Sequence, residues 1–382
     1  MPVTPLSTLL SQVLVAYTIE FDYEIEARVP HITTIDRAAR SAFSEERPWL
    51  VSQVMWANFI RHVPDEGTPV REVQARACLP ERAIKNRLHH LEWWKYVRFA
   101  PDPTDSRAKP RYRDLLVHLG PGARRLRDEG EQISADMEKR WRTRFGKSTI
   151  EDLSDGLRAI VGAGVDQLPD YMPVVEYSDG MRATVTPPQE PPAAGVQVER
   201  LPLWALLSKA LLTLTLEFER DSEISLTVAA NVLRPIEGGG TAMRELPMRG
   251  GVAKEGVTAA INFLAKKGLV TQGSDKQKLV ELTPAGAEAR KKHAASLAAI
   301  ERRWTKSHGA GVIDAVRASL EEMRSGVKRD KPLYAVGMEI REGSWRAVKP
   351  YGELTAAFVA DPPTSLPHHP MVLHRGGFPD GS

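Results

Sequence analysis

Residues Pro5 to Phe21 read PLSTLLSQVLVAYTIEF, and residues Pro202 to Phe218 read PLWALLSKALLTLTLEF. The two stretches lie 197 positions apart and agree at nine of seventeen positions. The likeness continues in order. ANFIRHVPDEGTPVREV from Ala57 matches ANVLRPIEGGGTAMREL from Ala230 at an offset of 173. LLVHLGPGARRLR from Leu115 matches KLVELTPAGAEAR from Lys278 at an offset of 163, and so does EKRWRTRFG from Glu138 with ERRWTKSHG from Glu301. Self-similarity in a fixed order marks a repeated domain. The falling offset gives the first copy 24 extra residues near positions 27 to 52 and 10 more near 98 to 111. The chain divides into a first copy over 1–165 with its insert at 27–52, a linker over 166–200, a second copy over 201–325 and an irregular tail over 326–382. The linker includes MRATVTPPQEPPAAGVQVE (181 to 199), whose prolines and small residues favour extended chain and build no core.

A chain of 382 residues has room for two full cores. Its 42% apolar content, and 52 basic against 49 acidic residues, exclude disorder over the whole length. The single cysteine, Cys78, excludes a disulfide framework and fits a reducing compartment. Residues Met1 to Ile19 carry no charge, but Thr4, Ser7, Thr8, Ser11 and Gln12 dilute them, no basic residue precedes them, and a near copy sits in mid-chain. The expectation is a soluble, cytoplasmic protein with no membrane segment.

Each copy opens on an apolar helix, with Leu6, Leu9, Leu10, Val13, Leu14 and Tyr17 matched by Leu203, Leu206, Leu207, Ala210, Leu211 and Leu214. So few charges on any face require more partner surface than one small domain offers, and the other copy can supply it. That predicts a monomer with internal pseudo-two-fold symmetry. Three shorter helices follow in the first copy, near 49–62, 69–77 and 81–94. The break at Cys78-Leu79-Pro80 is matched by Gly250-Gly251. A short turn and then a helix with a polar face is a helix-turn-helix pattern. Period-two runs then appear at Tyr96 to Phe99 and Leu115 to Leu119, and at Leu269 to Thr271 and Lys278 to Leu282, and each pair reads as a hairpin. Gly120-Pro121 and Thr283-Pro284 open long charged helices. The fold class is mainly α with small β hairpins.

This order resembles the MarR family of winged helix-turn-helix regulators. The runs that carry the likeness are LPERAIKNRLHHLEWWKYV (Leu79 to Val97) before LGPGARRLR, and VAKEGVTAAINFLAKKGLV (Val252 to Val270) before LTPAGAEAR. Members of that family are homodimers with interlocked outer helices. The resemblance therefore implies tandem winged helix-turn-helix domains forming an intramolecular pseudo-dimer, with double-stranded DNA as partner and transcription regulation as function. It also implies that Asp105 braces Arg107, which enters the minor groove, since the family's wing carries an Asp-x-Arg pair. The second copy has GSDKQK in its wing and no such arginine.

Helix spacing sets Ala83, Leu88 and Leu91 on a core face, leaving Arg82, Lys85, Asn86 and His89 on the other. Arginine and asparagine suit bidentate contacts to base edges. The hairpin over 98 to 113 adds Arg98, Arg107, Lys109, Arg111 and Arg113 against two aspartates. In the second copy the equivalents are Lys254, Thr258 and Asn262, with Lys276 and Lys278 in the hairpin. A mixed charged face is most often simply solvated. The hairpin with its Asp-x-Arg favours DNA for the first copy, and for the second both readings stay open.

No phosphate loop, nucleophile elbow or dinucleotide fingerprint occurs, so neither an enzyme nor a cofactor is expected. His368, His369 and His374 have no carboxylate or cysteine at ligand spacing and do not read as a metal site. Cys78 reads as a small buried turn residue. The aromatics Tyr17, Phe21, Trp49, Trp56 and Phe59 read as core. Their functional alternative is a pocket for a small apolar or aromatic effector, where the family's effectors bind. A competing function is a ligand-sensing or protein-interaction module that kept this scaffold and reduced or lost its DNA binding.

Overall fold

The computed structural model describes residues 4–29, 54–77, 81–162, 168, 197–250, 254–274 and 278–325. Most of the expected insert, most of the linker and the whole tail lie outside the described residues, as do Trp49, Cys78, Lys276 and the three C-terminal histidines. The described part is mainly helical, with two small antiparallel sheets. No described helix is long and apolar enough to cross a membrane.

In the first copy, helix α1 (Leu6–Arg28) is followed by α2 (Val54–Ile60), strand β1 (Thr68–Pro69), α3 (Val70–Ala77), α4 (Glu81–Trp93), β2 (Val97–Ala100), β3 (Leu116–Leu119), α5 (Pro121–Phe145) and α6 (Lys147–Val161). The second copy repeats the order. It runs through α7 (Leu203–Arg220), a π-helical turn (Leu226–Ala230) leading into α8 (Asn231–Leu233), β4 (Thr241–Ala242), α9 (Leu246–Gly250), α10 (Lys254–Lys266), β5 (Val270–Gln272), β6 (Leu279–Leu282), α11 (Pro284–His308) and α12 (Ala310–Ser325).

α1 and α7 are buried nearly all round, including their hydroxyl residues. Thr18 and its counterpart Thr215 each donate to the carbonyl four residues back, Leu14 at 2.8 Å and Leu211 at 2.7 Å, whereas the Ser7 hydroxyl is buried without a partner. The helices find their cover across the copies: α1 packs on α7 and α12, and α6 packs on α12 and α7. Those contacts are reciprocal, the relation a two-fold axis produces. α6 and α12 approach closely at Gly156, where an added Cβ would overlap Val316 Cγ2.

The sheets share one topology. The orders are β1-β3-β2 and β4-β6-β5, with Val97 opposite Leu119 and Val270 opposite Leu282. The third strand of each sheet, β1 or β4, is two residues long and shows no period in sequence. Each long charged helix is also two helices. Gly146 and Gly309, both at φ 93°, adopt a backbone that side chains disfavour, and α6 and α12 start beyond them. α1 runs seven residues past Phe21, into what the sequence assigns to the start of the insert.

Candidate nucleic-acid interface

α4 buries Ile84, Leu88 and Leu91 and exposes Lys85, His89 and His90. The side chains of Ala83, Arg82 and Asn86, though these residues lie on this helix, fall outside the described ones. Lys85 Nζ lies 5.6 Å from the centre of the Tyr112 ring, tying the helix face to the hairpin base by a cation–π contact. Arg87 turns inward, its guanidinium 5.7 Å from the Phe59 ring.

The hairpin loop is ordered by its own acids. Asp102 accepts from the Thr104 amide at 2.8 Å and its hydroxyl at 2.7 Å, an Asx turn that reverses the chain. Asp105 then accepts from the Arg107 amide at 3.0 Å, from Nε at 2.8 Å and from Nη2 at 2.6 Å. Asp114 accepts from the same Nη2 at 2.8 Å and from Arg71 Nη1 at 2.7 Å. The Arg107 hydrogen bonds hold the Asp105 carboxyl down at about 2, and they hold Asp114 below the usual carboxylate range as well. Asp114 is the residue that sequence reading missed. It lies seven positions from Arg107, with no local spacing rule to join them.

Arg98, Lys109, Arg111 and Arg113 stand exposed around this loop. In the sheet, burial depresses the His118 pKa, and Arg98 and Arg124 add to the effect. In the second copy Val257, Ile261 and Leu264 take the core positions of α10, and Thr258, Ala259 and Asn262 are exposed. The Lys254 side chain lies outside the described residues, and Lys278 is exposed with φ 48°. No described residue of that loop repeats the braced arginine.

The four described aromatics, Tyr17, Phe21, Trp56 and Phe59, do not come together in one pocket. Tyr17 is fully buried, edge-on to Trp141 at 5.1 Å, and shares a 3.2 Å hydrogen bond with the Ser134 hydroxyl. Trp56 is buried against Trp94 and Tyr96, and Phe59 is buried under Arg87. Phe21 alone of the described four lines a cleft, a space of about 580 Å³ between α1, α2, α5 and the start of α7. A second cleft of about 240 Å³ is formed by the equivalent elements of the other copy. Ala57, Arg61, Arg127 and Glu138 in the first correspond, by the offsets of the duplication, to Ala230, Arg234, Arg290 and Glu301 in the second. Among the described residues no cluster of three or more histidine, cysteine or carboxylate side chains could hold a metal. No family model, curated protein or solved structure matches the chain.

Proposed function

We propose that the protein is a cytoplasmic, DNA-binding transcriptional regulator built from two winged helix-turn-helix units in an intramolecular pseudo-dimer. The observation that carries this reading is Arg107, held by Asp105 and Asp114 at the tip of a basic hairpin beside the exposed face of α4. An arginine fixed in place by carboxylates, yet exposed, is preorganised for a narrow minor groove, whose enhanced negative potential draws it in. α4 would enter the neighbouring major groove with Lys85 and His89, and with Arg82 and Asn86 from the same face. Lys109 and Arg111 would meet phosphates, which position the protein without reading sequence.

The second copy supports a weaker role. Its loop offers Lys278 and Lys276, and its helix Lys254 and Thr258. A scaffold that keeps its packing but thins its charge is the observation that favours the competing reading, a sensing or interaction module. A salt titration on random duplex separates the two. A regulator loses affinity steeply with salt because each phosphate contact releases counterions, with a slope of about −0.9 per contact. A flat salt dependence, with no binding above that of a neutral control protein, would reject the DNA reading.

A further inference from the structure

The helix α4 is amphipathic, with one exception. Ile84, Leu88 and Leu91 are buried on its core face. On the opposite side Arg82, Asn86, His89 and Trp93 follow one another at spacings of four, three and four, which sets them on one stripe. The first three are polar. Trp93 is the last residue of the helix, one turn or about 6 Å beyond His89, and it is 66% exposed. Among the described side chains no other large hydrophobic one is left exposed. Single apolar residues are common on protein surfaces. Trp93 differs from them in its register, its counterpart and its support.

The duplication shows what the position holds elsewhere. At the offset of 173, Trp93-Trp94-Lys95 corresponds to Lys266-Lys267-Gly268. Lys266 is exposed, and a cation suits the end of a helix. Gly268 turns the chain at φ 70°, and Lys95 makes the same turn at φ 60°, a backbone that a side chain disfavours. The first copy therefore has neither the helix-end cation nor the relaxed turn of the second. In their place it presents an indole that is held from behind. The Trp93 ring lies 5.7 Å from that of Trp94, tilted by 47°, and Trp94 lies 5.0 Å from the buried Trp56. A ring already fixed on one side loses little freedom when its other face is covered.

We infer that Trp93 is a specificity residue of the nucleic-acid interface, reading the C5-methyl group of a thymine in the major groove. This rests on the DNA reading proposed above, in which the same stripe carries Arg82, Asn86 and His89 into the groove. Lys85 on the flank of the stripe, and Lys95 and Arg98 just beyond it, are exposed cations that suit a polyanion. Glu92, the acid beside them, lies 3.7 Å from His89 Nδ1. An indole has no charge to offer a phosphate and no paired donors or acceptors for a purine edge. Its face is apolar, and the thymine methyl is the apolar feature that the major groove presents. Lys266, at the matching position, would instead meet a phosphate, so the methyl contact belongs to the first copy alone.

The full chain is used to select its site from random duplex. Each thymine of that site is then replaced in turn by deoxyuridine, which removes only the methyl group, and binding is followed by fluorescence anisotropy at fixed salt. At one position the replacement should lower wild-type affinity about fourfold, the contribution of one buried methyl, and should leave Trp93→Ala unaffected. Trp93→Ala itself should bind the selected site at least about tenfold more weakly, with an unchanged melting temperature because the ring is exposed. If the wild type binds no duplex, the DNA reading falls and the thymine contact with it. If the wild type binds its site but no deoxyuridine replacement weakens it, or the replacement weakens Trp93→Ala as much as the wild type, the thymine contact alone is overturned. A Trp93→Ala chain that binds the site like the wild type overturns it too.

Discussion

Glu301 accepts a hydrogen bond from the Leu6 backbone amide at 2.7 Å, and Glu138 accepts one from Leu203 at 2.8 Å. Both residues of each bond correspond under the duplication, so each copy caps the first helix of the other. Pro5 and Pro202 sit at the N-caps of α1 and α7 and give no side-chain cap. The opening amides are orphans unless something reaches them. A carboxylate at a helix N-terminus also meets the favourable end of its dipole.

Removing either cap should cost stability. Glu301→Ala and Glu138→Ala are expected to lose about 1 kcal/mol each, and Gln at either site less, since it keeps an acceptor. Urea unfolding with a common m-value checks this. Alanine variants as stable as the wild type would show that the caps contribute nothing.

A second pair of equivalent acids should differ. The Glu20 side chain is 7% exposed and accepts from Trp141 Nε1 and Arg144, both at 2.8 Å, with Arg140 at 3.1 Å. Glu217 accepts from Trp304 Nε1 at 2.9 Å and from Arg303 at 2.8 Å, but its side chain is 27% exposed. Glu20→Ala strands Arg144 and the Trp141 N–H in partly buried surroundings, while Arg140 keeps Glu24 at 2.8 Å, and should cost about 2–4 kcal/mol. Glu217→Ala leaves its partners near water and should cost about 1 kcal/mol. Equal losses on chemical denaturation would contradict the difference in burial.

The hairpin brace has a defined acid limit. The folded Asp105 carboxyl sits at about 2, below the roughly 3.9 of free aspartate. The brace therefore contributes fully above the free value and is lost as pH falls through about 2. Carbon-13 NMR of the Asp105 carboxyl should show that midpoint and should move up in Arg107→Ala. An unshifted midpoint in the wild type would mean the loop is not closed in solution.

If the proposed function holds, the preferred DNA site is asymmetric. Lys85 and His89 have Thr258 and Asn262 as counterparts, and only the first copy's hairpin loop carries an arginine. Arg107→Ala should weaken binding more than Lys278→Ala in fluorescence anisotropy at fixed salt. Each good bidentate base contact is worth roughly 1–3 kcal/mol of discrimination, so a site selected from random duplex should bind better than either of its symmetrised halves. A perfect palindrome binding tightest would rule out unlike roles for the copies.

Much of the architecture was legible because it was written twice. The Leu6 to Tyr17 period, the Cys78-Leu79-Pro80 break and the Thr283-Pro284 start are local patterns, and the helices and hairpins lie within a few residues of them. Other features have no local pattern. Thr68–Pro69 is too short to alternate, and it becomes a strand only because β3 lies beside it. Gly146 reads as an ordinary glycine until its positive φ divides α5 from α6. Asp114 joins Arg107 through the fold of the loop. The clefts are surfaces of several helices at once, and Tyr17, Trp56 and Phe59 pack into the core away from them while Phe21 lines one.

The close approach of Gly156 to Val316 has a consequence for how chains recognise one another. The duplication pairs Gly156 with Ser319 and Val316 with Leu153, so the contact between the last helices is a small residue against a medium one on one side of the axis. Two first copies from different chains, meeting in the same way, would have to seat Leu153 where Val316 already fills the space at Gly156. Fusion into one chain has released this surface from matching itself, and the mismatch now favours the partner encoded downstream over a copy of the same half.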